Sequence, residues 1–273
     1  MVSVSTILCI CVSMLIALVL PVAILLLYAR KNRKQGIVSA WLLGAAGFFV
    51  TQILIRVPIL TLLQMNSSFM AFAQSHLFAY AFGLAFTAGL FELAGRFVVA
   101  KLMRKNLNDK RSLAAGLGHG GIEAMVLIGM TYVSNLAFAV MINTGTFDAL
   151  ISQTAAMGAD VSQLELIRMQ LVSYSSGIFL LGGYERILAM TAHAAMSMLV
   201  CYGVAHKKVL PCALVCLVIH TFIDLTAGLM QVLPQTIGYI TIYTILTIVA
   251  AVSLWIIKEL RHRWKEDIHD SEE

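Results

Sequence analysis

Charge is scarce in this chain. Only 12% of its 273 residues are Asp, Glu, Lys or Arg, about half the ~25% of a soluble domain. That shortage excludes a water-soluble globular fold. Proline is rare as well, four residues in all, and only Pro58 and Pro211 fall inside or at the start of a middle apolar run. The Gly/Pro-broken helix pairs that point to many transporters are not seen, nor is an inverted repeat. The five cysteines, Cys9, Cys11, Cys201, Cys212 and Cys216, include no C-x-x-C, which excludes a zinc ribbon and a thioredoxin-type pair. They read as small buried hydrophobes, although Cys212, Cys216, His220 and Asp224 follow one another at i+4 and leave a thiolate ligand at Cys216 open. The glycines around His119 lack the G-K-[ST] continuation of a phosphate loop. They either open space beside His119 or serve helix packing. No basic residue precedes the first apolar run, as a signal peptide would require, so that span is expected to be retained.

What fills the chain instead is hydrocarbon. It is 60% apolar with a mean hydropathy of +0.88. Seven runs, at residues 4–28, 37–63, 70–102, 112–142, 175–205, 209–230 and 235–257, each exceed the ~20 residues that cross a bilayer. The expectation is an all-α, polytopic membrane helix bundle in the plasma membrane, with residues 1–273 forming one membrane domain. Most of the 19 basic residues fall on alternate sides of these seven spans: Arg30, Lys31, Arg33 and Lys34; Lys101, Arg104, Lys105, Lys110 and Arg111; Lys207 and Lys208; Lys258, Arg261, Arg263 and Lys265. The other side holds only Arg168, while Arg56, Arg96 and Arg186 lie inside spans. The positive-inside rule then places the amino terminus outside and the carboxyl terminus in the cytosol. The net charge of +5 follows from this bias, with some attraction to anionic lipid, and needs no nucleic acid. The external connection, 143–174, suits two short amphipathic helices on the membrane surface or a plain solvated hairpin. The tail, 258–273, is charged and expected to fray into solvent.

Against this background a few ionisable residues stand out. Glu92, Glu123, His193 and His220 each lie roughly 10–12 residues from the cytosolic end of their span, about 15–18 Å deep at ~1.5 Å per residue. A charge at that depth costs several kcal/mol unless paired, so such residues are rare and functional by default. Several share a helix face at i, i+4: Glu92 with Arg96, His119 with Glu123, and His220 with Asp224. Arg96 either neutralises Glu92 or snorkels to the interface. Neutral imidazoles and carboxylates suit Zn²⁺ or a similar divalent ion, and three such ligands with a water make a hydrolytic centre. The assignment is Glu123, His193 and His220 as ligands, Glu92 as base, His119 as a fourth ligand or carbonyl polariser, and Asp224 behind the His220 ring. The roles of Glu92 and Glu123 are exchangeable. Glu185 and Arg186, being adjacent, point about 100° apart and are expected to find separate partners. Arg56, flanked by Gln52 and Gln64, is expected to have a structural partner inside the bundle.

At these residues the sequence resembles a known group. F-E-x-x-x-R (Phe91, Glu92, Arg96), G-H-G-G-I-E (Gly118–Glu123) and the two later intramembrane histidines resemble the YhfC family of bacterial intramembrane metalloproteases. That family is grouped with type II CAAX prenyl endopeptidases and bacteriocin-processing enzymes. The resemblance covers roughly residues 85–226, the expected catalytic core. The wider superfamily pattern E-E-x-x-x-R, F-x-x-x-H and H-x-x-x-[ND] is met with Phe91 for the first Glu, with Ala189 for Phe ahead of His193, and in full by His220 and Asp224. The second motif is also met in spacing by His119 and Glu123. The resemblance implies that Glu92, His193 and His220 carry catalysis on a membrane-protein, lipidated or peptide substrate. Two other readings of the residues remain: a midplane His/Glu relay of a transporter, and a non-catalytic immunity or scaffold protein. A bis-His haem carrier leaves Glu92 and Glu123 without a role.

Overall fold

A computed structural model describes residues 1–230 and 232–269. It is helical, with no strand among the described residues. Seven helices are long and apolar enough to cross a membrane, and the protein is a multi-pass membrane protein. In chain order the helices are α1 (Val4–Lys31), α2 (Ile37–Gln64), the short α3 (Ser67–Ser75), α4 (Leu77–Leu102), α5 (Asp109–Thr144), the short α6 (Phe147–Ala156) and α7 (Ser162–Ser173), then α8 (Ser176–Ala205), α9 (Val209–Met230) and α10 (Gln235–His269). Large apolar side chains such as Leu26, Leu62, Val218, Ile240 and Trp255 stand exposed on the outer faces, as lipid-facing helices require.

Three boundaries differ from the sequence reading, each for a local reason. The third span does not run unbroken from residue 70. Asn66 caps a separate α3 by accepting from Phe69 N at 3.0 Å, and His76 then leaves helical geometry before α4 begins. The last helix does not end near residue 257 but continues to His269. Its extension is packed rather than frayed: Trp264 sits edge-on to Tyr202 at 5.3 Å, and Arg261 donates to Asp109 at 3.2 Å. The part of the expected tail beyond residue 269 lies outside the described residues. The 143–174 connection forms α6 and α7, and Arg168 pairs with Asp148 and lies over the Phe147 ring at 5.3 Å.

The chain divides into two compact units. The first joins Met1–Val22 to Ala124–Ile187. Its core packs Val2, Ile10, Tyr132, Leu171 and Phe179. Hydrogen bonds tie this core together: Ser13 and Tyr132 both donate to Phe179 O, at 2.6 and 2.7 Å, and Asn143 brackets the Val2 backbone at 2.7 and 3.0 Å. In this unit Arg186 pairs with Glu185, its neighbour in sequence. The long guanidinium stem covers the angle between adjacent positions, so the two groups meet although they start from different faces.

The second unit joins Ala23–Glu123 to the chain from Leu188 onward, and it contains every candidate site residue. Close backbone approach builds it. A Cβ on Gly118 would run into Trp41 O, and one on Gly44 into Ala115 O, so α2 and α5 pack main chain to main chain. On the opposite side a Cβ on Gly116 would lie 2.6 Å from Ala194 Cα of α8. The glycine cluster around His119 is therefore packing surface on two sides, not open space. α8 is the enclosed helix: 78% of its apolar window is buried, against 17–39% for the other six.

Candidate metal centre

Four helices of the second unit bring their ionisable residues to one point. Glu92 and Arg96 come from α4, His119 and Glu123 from α5, His193 from α8, and His220 and Asp224 from α9. All but Asp224 are buried, with exposures between 1% for His119 and 9% for Glu123, so water does not solvate the charges and the groups solvate one another.

Glu92 is the hub. Its Oε2 accepts from Arg96 Nη2 at 2.9 Å, from His119 Nε2 at 2.9 Å and from His220 Nε2 at 2.7 Å. His193 Nδ1 stands 3.6 Å from the same oxygen. Arg96 does not snorkel. Its Nη2 lies 2.6 Å from His193 Nδ1 as well, and because a guanidinium only donates, that ring nitrogen accepts. The other face of His193 meets Glu123, Nε2 to Oε2 at 2.7 Å. Behind His220, Asp224 Oδ2 stands 3.4 Å from Nδ1. The rings pack together: His119 stacks on His193 at 5.2 Å, His193 meets His220 at 5.7 Å, and Phe48 closes the far side of His119 edge-on at 5.2 Å.

The structure adds one residue the sequence reading passed over. Gln52 of α2 is 5% exposed and donates from Nε2 to Glu92 Oε1 at 2.8 Å. A neutral amide in a membrane span carries no charge to draw notice. The structural partners expected for Arg56, one turn on, are Leu84 O at 2.6 Å, Thr87 Oγ1 at 3.3 Å and Gln52 Oε1 at 3.3 Å. Behind the centre a cavity of about 10 Å³ is lined by Arg96, His119, Ser197 and Cys201, a volume on the order of one water. Arg96 Nε and Nη1 and Ser197 Oγ, all buried, have no hydrogen-bond partner among the described residues.

These residues fit a divalent cation. One donor atom from each of Glu92, His119, Glu123 and His193 lies within 4.8 Å of all the others, an upper bound wider than the roughly 3.3 Å that ~2.0–2.1 Å bonds impose on tetrahedral ligands, so the donors would close in around an ion. The donor types are those zinc-class ions take. The compact set shares Glu123 and His193 with the expected ligands and takes in His119, the expected fourth ligand, and Glu92, whose role is exchangeable with that of Glu123; His220 lies beside it, against the Glu92 carboxylate.

The uncharacterised membrane protein YhfC of Bacillus subtilis (strain 168) is 31% identical over 255 residues, 90% of this chain and 93% of that protein. No solved structure matches. Residues 16–250 match the family model described as YhfC intramembrane metalloprotease, a stretch that includes the four donors and also Gln52, Arg56, Arg96 and His220, and the chain belongs to that family.

Proposed function

We propose that this protein is a metal-dependent intramembrane endopeptidase that hydrolyses a peptide bond within or beside the bilayer of a bacterial plasma membrane. The observation that carries the reading is the buried group of two carboxylates and two imidazoles gathered within 4.8 Å, in a chain of a family described as metalloproteases. A transporter relay needs ionisable groups spread along a path, whereas these converge on one point.

His119, Glu123 and His193 are the residues we assign to the ion, with zinc the best match to the donor set. When bound, such an ion supplies a Lewis acid for the peptide carbonyl and brings the pKa of water toward neutrality. The remaining work falls to the chain. Glu92 takes a proton from the attacking water and passes it to the amide nitrogen as the C–N bond breaks, while the water oxygen stays in the new carboxyl group. His220 and Arg96 hold that carboxylate from two sides, and Asp224 orients the His220 ring. Buried apolar walls around the rings keep bulk water from competing for these hydrogen bonds.

The substrate class we infer is a membrane protein, a lipidated protein or a peptide that enters from the cytosolic leaflet or laterally between helices. The amino terminus faces outward and the carboxyl terminus the cytosol, following the basic loops. The test is cleavage of fluorogenic transmembrane peptides in proteoliposomes. Wild type is expected to cleave, to stop on chelation and to recover with zinc. Glu92→Gln is expected to keep its metal and lose roughly 10²–10⁴-fold in turnover. Full activity in Glu92→Gln would remove Glu92 as the base.

A further inference from the structure

We propose that Gln52 and Arg56 are positioning residues of this centre: Arg56 fixes the Gln52 amide, and the amide fixes Glu92. Nothing in the four helices that carry the acids and imidazoles requires a contribution from α2. Yet α2 makes the one hydrogen bond, among the described residues, to the Glu92 oxygen that the histidines leave untouched.

The geometry has a direction. Arg56 Nη1 donates to Gln52 Oε1 at 3.3 Å, and a guanidinium has nothing to accept with. The amide oxygen is thereby turned toward Arg56, and the NH₂ is left to face Glu92 Oε1 at 2.8 Å and Ala88 O at 3.3 Å. A carboxylate with Oε1 held by an amide cannot rotate without breaking that bond, so Oε2 stays aimed at His119 and His220. Arg56 is itself anchored to α4 by Leu84 O at 2.6 Å and by Thr87 Oγ1, from Nη2 at 3.3 Å and from Nε at 3.4 Å. Its charge acts on Glu92 through the polarised amide and does not form a second ion pair that would compete with Arg96.

The local backbone serves this arrangement. Residues Phe49–Arg56 form a π-helix inside α2, a wider turn that shifts the register of a helix face and recurs at functional sites. Both Gln52 and Arg56 reach α4, one after the other in antiparallel order, Gln52 at Ala88 and Glu92 and Arg56 at Leu84 and Thr87. Gln52 is buried, where an amide without partners is costly. The same contacts that satisfy it bind it to the centre.

The inference rests on the endopeptidase reading for its kinetic consequence, and its structural half is tested separately. Four zinc-loaded proteins are compared: wild type, Gln52→Leu, Arg56→Leu and the double variant. All are expected to bind zinc in the same stoichiometry. On a fluorogenic transmembrane peptide, Gln52→Leu is expected to lose about 10–100-fold in kcat with KM changed less than about twofold. The double variant falls no further than Gln52→Leu, because one chain of contacts is not broken twice. The second readout needs no turnover. The Glu92 carboxylate stretch, identified by its loss in Glu92→Gln, is expected to shift in the infrared spectrum of Gln52→Leu. An unshifted band with wild-type kcat overturns the proposal, and losses that multiply in the double variant overturn the link through Arg56. Should Gln52→Leu not fold, Gln52→Asn, which keeps the amide but is one methylene short, carries the same expectations. If wild type neither binds zinc nor cleaves, the endopeptidase reading fails, and the infrared band still decides whether Gln52 holds Glu92.

Discussion

At Glu92 both oxygens are engaged, Oε1 by Gln52 and Oε2 by Arg96, His119 and His220. Such a carboxylate is held in place by its neighbours, and removing one of them exposes the cost of burying it. Arg96→Leu is expected to destabilise the protein by about 3–5 kcal/mol, since it strands a buried negative charge; denaturation in detergent measures it. Arg96→Lys is expected not to restore full stability or turnover, because the shorter side chain does not place its nitrogen where Arg96 Nη2 donates to both Glu92 and His193. Most of this site was legible in the sequence. Glu92, His119, Glu123, His193 and His220 stood out because ionisable groups in hydrocarbon are rare, and the i, i+4 pairs showed which faces they share. Two things were not legible. Gln52 carries no charge and stood out only as a neighbour of Arg56, so nothing in the sequence tied it to Glu92. His220 shares its distance from the cytosol with the others, but depth says nothing of which neighbour a ring meets, and it meets Glu92.

At the scale of elements, the centre exists because α5 is stripped to glycine where it passes α2 and α8. Gly118→Ala and Gly44→Ala each drive a methyl into a main-chain oxygen. Each is expected to cost about 1–3 kcal/mol and to lower bound zinc, because spreading α2 from α5 moves His119 and Gln52 together. Gly83, whose surroundings are open, is the control, and Gly83→Ala is expected to leave both stability and metal near wild type. The seven spans were readable from run length and the alternation of basic loops. The π-helices at Phe49–Arg56 and Ala124–Gly129 and the break at His76 were not. Hydropathy averages over ~20 residues and is blind to one extra residue in a turn.

At the scale of the molecule, the second unit carries the chemistry with groups drawn from α2, α4, α5, α8 and α9, while the first unit holds α6 and α7. The basic residues set the expected orientation, and labelling tests it. With the five native cysteines replaced, Asp160→Cys is expected to react with a membrane-impermeant thiol reagent in intact cells, and Lys207→Cys only after the membrane is opened. The reverse pattern would invert the topology and move the proposed substrate route to the other leaflet. The central claim is simpler than any of these: buried acids and imidazoles from separate helices meet to hold one ion. Elemental analysis of protein purified without chelators and supplied with zinc tests it most directly. The account predicts about one equivalent in wild type and in Glu92→Gln, and near none in His193→Ala or Glu123→Ala. Wild type without metal, or variants that bind as much as wild type, would contradict it.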